Sequence, residues 1–411
     1  MRILYLNPSG QMGGAEVSLR DLLASVRAAE PNWELWLVLG QDGPMAGKAR
    51  EMGVQVIVAP FPSALANIGD AGRGPLALAW SLIKAVAGIA AYTRQLAAIH
   101  RRLQPDIVHT NGFKMHVLGL WARSNGTPVI WHIRDYISSR PVMKRLLRFH
   151  APFCAAAITN SASVSRDVQS VCGPKLDAHC IYNGIDLQVY SPEGDKADLD
   201  ALSGMAPAQR WSVRIGLIAT TARWKGHEVF LRALARLPGD FPFRAYVIGG
   251  PIYQTEKSQY TLDELRALTI KLQIAGKTGF TGFVQDPASA IRALDVVVHA
   301  STEPEPFGRV IAEAMACGRA VIISASGGAR ELISEGHDAL AHPPGDDAIL
   351  AERIAELARD PELRRRMGSA GRVTAERRFN RSRLAAQLVP VYRMVTAQAA
   401  PAIPAQSGAL R

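Results

Sequence analysis

Apolar residues along this chain fall into two alternating patterns. Short, nearly unbroken runs rich in Val, Ile and Leu read as strands buried on both faces, and longer stretches with helical spacing lie between them. In the first half the runs are RILYLN, WELWLVLG, VQVIVAP, PDIVHTN, TPVIWH, AAAITNS and AHCIYNGID, with helical stretches such as EVSLRDLLASVRAA and MHVLGLWARS among them. A second series begins at WSVRIGLIAT. Its strands are VRIGLIA, FRAYVIGG, GFTGFV, DVVVHAS, AVIISA and the short ALAHP. The intervening helices are HEVFLRALARL, TLDELRALTIKLQ, PASAIRAL, RVIAEAMACG and DDAILAERIAELARD. Such alternation implies parallel sheets joined by right-handed crossovers. The expected fold is therefore α/β: two doubly wound, Rossmann-like domains facing across a cleft, with ligands at the carboxyl ends of the strands. The first domain is expected over residues 1–190 and the second over 205–375, with SPEGDKADLDALSGMAPAQ as the linker. A last helix at about 376–396 is expected to cross back to the first domain, and residues 397–411 to be disordered.

Length and composition agree with two domains: 411 residues, 48% of them hydrophobic. Charge adds something the periodicity does not. The formal net charge is +11, and between Arg73 and Arg148 twelve Lys and Arg face only Asp106 and Asp135. That segment holds a surplus of ten, so the rest of the chain is nearly neutral. Two readings stay open: solvated helix faces, or a surface that meets anionic lipid or a polyanionic substrate. Nucleic acid is disfavoured, because aromatic residues are sparse there and no binding motif appears. The longest apolar run, Pro75 to Tyr92, carries Lys84 in its middle, which favours a buried or interfacial helix over a spanning one. Cys154, Cys172, Cys180 and Cys317 have no zinc-ligand spacing and read as reduced thiols. MRILYLNPSG reads as a strand entering a loop, so no secretory leader is expected, and a cytoplasmic location is.

Candidate chemistry lies at strand ends. Gly10-Gln11-Met12-Gly13-Gly14-Ala15-Glu16 joins a strand to a helix, where glycine N–H groups can approach a phosphate. It is not GxGxxG, so a dinucleotide fingerprint fails, and a tight structural turn explains it equally. The stretch DVVVHASTEPEPFGRVIAEAMACGRAVIISASGGARE is more specific. A strand ends at Ser301, a loop carries Glu303 and Glu305, and Gly308 opens a helix bearing Glu313. Carboxylates above strand ends suit vicinal hydroxyls, since each accepts two hydrogen bonds. The N–H groups around Phe307–Val310 form an anion-accepting helix start.

These residues carry a resemblance. The chain resembles the retaining glycosyltransferases of family 4, which have two Rossmann-like domains in the GT-B architecture. EPFGRVIAEAMACG is similar to that family's Glu-x7-Glu signature, with Glu305 and Glu313 at its ends, and GGARE to the glycine pair and acid that follow. RWKGHEVFLRAL, GGAE and IYNGID resemble its Lys-Gly helix start, its N-domain loop and its hinge-side motif. The resemblance covers about residues 1–395.

The resemblance implies transfer of a sugar, with retention, from a nucleoside-diphosphate sugar to a saccharide or lipid-linked acceptor, in cell-surface polysaccharide or glycolipid biosynthesis. Glu313 would hold the ribose hydroxyls and Glu305 would sit near the sugar. Backbone at Phe307, Gly308 and Arg309 would contact sugar and phosphate, and Lys225 the diphosphate. Gly13 and Gly14 would close on the diphosphate from the other domain. The family's arginine five residues before the lysine is Thr220 here, which leaves Arg223 as either a phosphate ligand or a solvated charge. His132 would assist near the reacting carbon, with His109, Glu16 and Arg134 on the acceptor side, although an Arg134–Asp135 pair is an equal reading. No cofactor and no metal is expected, since no Asp-x-Asp motif occurs. The basic first domain would make the enzyme peripheral on the inner face of the cytoplasmic membrane. Alternatives are a nucleotide-sugar epimerase of the same fold and an inactive donor-binding scaffold of a polysaccharide assembly complex.

Overall fold

Each apolar run of the sequence becomes a parallel strand in the computed structural model, which describes residues 1–62, 75–124, 126–251 and 258–399, without the side chains of 75–85. In the first sheet these are β1 Arg2–Asn7, β2 Glu34–Leu39, β3 Gln55–Val58, β4 Ile107–Asn111, β5 Val129–Ile133, β6 Ala156–Thr159 and β7 Ala178–Cys180. Their order is β3-β2-β1-β4-β5-β6-β7, all parallel. The second sheet holds β8 Val213–Ile218, β9 Phe243–Ile248, β10 Thr278–Gly282, β11 Val296–His299, β12 Ala320–Ser324 and β13 Leu340–His342. Its order is β10-β9-β8-β11-β12-β13, again parallel. Strand order reverses between β1 and β4 and between β8 and β11, and such switch points are where loops diverge to leave room for a ligand.

Two compact units result. The first comprises Met1–Thr159, Ser165–Ile181 and the chain from Ser382 onward; the second comprises Asn160–Val164 and Tyr182–Arg381. The boundary expected at residue 190 therefore falls at Tyr182, and the expected long strand AHCIYNGID stops at Cys180. Ile185 instead pairs with Asn380, and Arg381 forms a 2.6 Å ion pair with Asp186. Nor is the expected linker a free segment. Leu199 is buried in the second unit's core, and Asp200 accepts hydrogen bonds from Tyr246 Oη (2.8 Å) and Arg214 Nη2 (2.9 Å). A polar-looking stretch is thus held by a leucine and a buried carboxylate, and by backbone bonds such as Arg292 Nε to the Asp195 carbonyl (2.8 Å) and Ala197 N–H to the Ser289 carbonyl (3.1 Å).

The expected helix at 376–396 is the end of one helix, Pro361–Arg378, and most of another, Arg383–Ala399, separated where Asn380 pairs with Ile185. On the second helix Leu384, Leu388, Val391 and Val395 recur at helical spacing and join the core of Ile3, Leu19, Leu23 and Val26 in the first unit. Aspartates 286, 346 and 360 cap helix starts with their side chains, satisfying first-turn N–H groups. Among the described residues no helix is long and apolar enough to cross a membrane. Arg73, the side chains of Trp80 and Lys84, and residues 400–411 of the expected disordered tail lie outside the described residues.

Candidate active site

In the second unit β8 and β11 are neighbours at the reversal point, so the loops after them share one carboxyl edge. After β8 a single 3-10 turn, Arg223–Lys225, leads through Gly226 into the helix His227–Ala235. Gly226 has φ +75°, and a Cβ there would stand 1.8 Å from the Ala300 carbonyl oxygen just beyond β11. Glycine alone lets the turn press against that strand end. Lys225 is delivered by this approach: its Nζ donates to Glu305 Oε2 at 2.7 Å.

Glu305 sits in a buried cradle. Its Oε2 also accepts from Ser301 Oγ at 3.0 Å and faces His299 Nε2 at 3.3 Å, and its backbone carbonyl accepts the Gly328 N–H at 2.7 Å. Burial works to raise the carboxyl's pKa, but Lys225 and then His299 outweigh it, and the group is held far below the usual carboxylate range. Glu305 is therefore an acceptor and a fixed negative charge, not a proton donor. His299 and Ser301 escaped the sequence reading. Their signal was the alternation of DVVVHAS, which puts residues two apart on one face of a strand and its continuation.

Gly308, at φ +81°, turns the loop into the helix Arg309–Ala316, whose first turn has no side-chain cap. Phe307 is buried and its ring lies 6.0 Å from that of Phe379, so its side chain anchors the loop to the core. One turn on, Glu313 Oε1 accepts from Arg309 Nε at 2.6 Å, while Arg309 Nη1 donates to the Gly184 carbonyl at 3.1 Å. Glu331 accepts the N–H groups of Ala162 and Ser163 and the Tyr182 hydroxyl.

Arg223 belongs to a different cluster. Its guanidinium pairs with Glu264 at 2.8 Å, stacks 4.3 Å from the Tyr260 ring centroid, and lines a cavity of about 350 Å³ with Gly226, Glu228, Tyr260 and Thr302. Thr220 occupies the residue after Ala219, two beyond β8.

In the first unit, Gly13 precedes the helix Gly14–Ala29. Glu16 Oε2 accepts the Gly13 N–H at 3.2 Å and Oε1 accepts Asn7 Nδ2 at 3.2 Å, so this acid shapes the loop. His132 is the penultimate residue of β5, and Arg134 Nη2 reaches back to its Nδ1 at 3.2 Å. Asp135 pairs with Arg140 at 2.8 Å. His109 corrects an expectation. It is fully buried, with Nδ1 on the Tyr392 hydroxyl (2.7 Å) and Nε2 on His132 (3.1 Å), so no ring nitrogen is left for an acceptor. The reason is the helix Arg383–Ala399, which brings Tyr392 over it from the far end of the chain.

Chemically, the second unit combines an ammonium and an uncapped helix start, both suited to a diphosphate, with a carboxylate suited to vicinal hydroxyls.

Comparison with known proteins agrees with this arrangement. The family described as Glycosyl transferases group 1 matches residues 214–374, and the one described as Glycosyltransferase Family 4 matches residues 12–189. The chain is 25% identical over 257 residues to N-acetyl-alpha-D-glucosaminyl L-malate synthase of Bacillus anthracis, covering 62% of this chain and 64% of that protein. It is 31% identical over 259 residues to alpha-maltose-1-phosphate synthase of Mycobacterium tuberculosis, covering 59% and 64%. The matches thus span slightly under two thirds of these relatives' own length. Among solved structures, Anabaena Alr3699/HepE in complex with UDP and glucose superposes with a TM-score of 0.78 at 25% identity, over 96% of this chain and 99% of that one. Sucrose-phosphate synthase from Thermosynechococcus elongatus shares the fold, with a TM-score of 0.77 at 20% identity over 97% and 100%.

Proposed function

This chain belongs to glycosyltransferase family 4, and we propose that it moves a sugar from a nucleoside-diphosphate sugar to a saccharide or lipid-linked acceptor with retention of configuration. The observation that carries the reading is the Lys225–Glu305 pair, 2.7 Å apart at the β8/β11 switch point and followed by the uncapped helix start before Glu313. Lys225 and the helix N-terminus supply the positive charge that a departing diphosphate requires, in place of a divalent metal. Glu313 reads the ribose hydroxyls, and Glu305 holds Lys225 in place beside the transferred sugar. Gly14 would offer its backbone N–H to the diphosphate, whereas the Gly13 N–H is already taken by Glu16 and the Gln11 carbonyl. In the step itself, the bond from C1 to the diphosphate oxygen breaks and the acceptor oxygen bonds to C1 on the same face. The acceptor's proton passes to the leaving phosphate oxygen, so His132 assists without serving as base. The Anabaena relative's complexes with UDP and with UDP-glucose support a uridine nucleotide as the donor's handle.

A thermal-shift panel of UDP-, GDP- and ADP-sugars tests the donor. A UDP-sugar is expected to stabilise the protein most, by about 2.7 kcal/mol at roughly 100 times its Kd. A panel in which no nucleotide sugar moves Tm overturns the reading.

Membrane attachment is part of the same proposal, and its support lies on the helix Pro141–His150. Val142 (70% exposed) and Phe149 (71%) lie seven residues apart on one helix face, Phe153 continues beyond it, and Lys144, Arg145 and Arg148 flank them in solvent. Exposed apolar side chains edged by cations suit an interface with anionic lipid. In liposome flotation the protein should rise with vesicles containing phosphatidylserine and stay below with neutral ones. The double variant Val142→Ser, Phe149→Ser should lose most of that binding, whereas equal partitioning to both vesicles would sink the idea.

A further inference from the structure

A chain of buried polar groups runs through the first unit to His132. The Tyr5 and Tyr392 hydroxyls are 3.2 Å apart, Tyr392 Oη lies 2.7 Å from His109 Nδ1, and His109 Nε2 lies 3.1 Å from His132 Nδ1. Tyr5, Tyr392 and His109 are fully buried and His132 nearly so. The direction of the hydrogen bonds follows from one residue. Arg134 Nη2 stands 3.2 Å from the same His132 Nδ1, and a guanidinium can only donate. His132 Nδ1 therefore carries a lone pair, and its ring hydrogen is on Nε2. His109 Nε2 must then be the donor toward it, because two lone pairs facing each other at 3.1 Å would repel. That leaves His109 Nδ1 as an acceptor, and the Tyr392 hydroxyl spends its one hydrogen on this 2.7 Å contact, so across the longer 3.2 Å contact Tyr5 is the donor and Tyr392 the acceptor.

We infer that Tyr392, on the C-terminal helix, is a positioning residue that acts through His109, with Arg134 donating from the other end, to fix His132 as a neutral imidazole bearing its hydrogen on Nε2. Burial, and then the Arg134 charge, holds both histidines well below the ordinary imidazole pKa, in agreement with neutral rings. The buried Nε2 of His132 has no partner among the described residues, nor has either amide atom of Asn111, which pairs with His132 in the β4–β5 register. His132, one residue before the end of β5, is thus a buried hydrogen-bond donor with a fixed hydrogen and no partner among the described residues. Such a group can bind a sugar hydroxyl or carbonyl oxygen but cannot take up a proton there. Two donors hold this order from its two ends, the Arg134 guanidinium at His132 and the Tyr392 hydroxyl at His109.

The consequence for turnover rests on the proposed sugar transfer, but the tautomer does not. In the full-length wild type, 15N NMR of labelled histidine should show His132 protonated on Nε2 only, with no titration between pH 6 and 8. Tyr392→Phe keeps the ring and removes the donor. It should let the His109 and His132 signals move toward mixed tautomers and lower kcat about tenfold, the worth of one well-placed hydrogen bond, with the donor KM little changed. A wild-type His132 carrying its hydrogen on Nδ1 overturns the inference even if the variant does not fold. Tautomer signals unchanged in a folded Tyr392→Phe also overturn it. A tautomer change with unaltered kcat upholds the inference and instead removes His132 from the transfer reaction.

Discussion

Lys225→Ala is expected to lower kcat/KM for sugar transfer by two to three orders of magnitude, measured as nucleotide release in the presence of acceptor. Removing one group aimed at charge that develops in the transition state costs about 10²–10³, and in the proposed reaction the lost group would be a full cation beside the departing diphosphate. The same change leaves Glu305 buried without its main counter-charge. Both side chains are mostly buried, 20% and 10% exposed, and breaking such a pair costs about 3–5 kcal/mol. A fall in Tm should therefore accompany the lost activity. The pH dependence has a definite sign. Glu305 has a depressed pKa in the folded protein, so its contribution is fully present above the unfolded carboxylate value of 4.5 and fades as pH falls below it. The Tm gap between wild type and Lys225→Ala should narrow as the solution is acidified below about pH 4.5. A variant that keeps its activity refutes the role of Lys225 at the diphosphate.

The second large effect is expected at Glu313. Its alanine variant should bind UDP and UDP-sugars about 10- to 100-fold more weakly by calorimetry, since hydrogen bonds to a charged carboxylate are worth about 1.5–3 kcal/mol. Arg309, which Glu313 now holds at 2.6 Å, would keep only its hydrogen bond to the Gly184 carbonyl among these two contacts. Glu313→Gln keeps an acceptor oxygen but not the charge, and should fall between wild type and alanine. Unchanged nucleotide affinity in the alanine variant would move the ribose site elsewhere. Lys225→Ala and Glu313→Ala separate two roles: the first should act mainly on turnover, the second mainly on donor binding.

Much of this site was legible because its determinants are local. A strand buried on both faces must be continuously apolar, so β8 and β11 announce themselves in VRIGLIA and DVVVHAS. The eight-residue interval from Glu305 to Glu313 places one acid in the loop and the other on the helix, whatever surrounds them. Three features were not legible, each because it joins distant segments. Lys225 meets Glu305 across 80 residues, through the close approach that Gly226 allows. The unit boundary lies at Tyr182 because Ile185 pairs with Asn380, and no local pattern marks that pairing. His109, read from the sequence as a strand-end residue open to substrate, is the third of five residues in β4, and Tyr392, 283 positions later, meets its ring nitrogen instead.

Local periodicity and spacing by themselves determined the two parallel sheets, the loop–helix placement of the acids and the concentration of positive charge before Arg148. They could do so because side-chain direction in a strand or helix repeats with a fixed period. Tertiary structure alone decided which charges neutralise one another, which histidine is closed off, and which nitrogen of His132 keeps its hydrogen. Those outcomes depend on burial and on partners brought within hydrogen-bond distance, and only the folded chain brings them there.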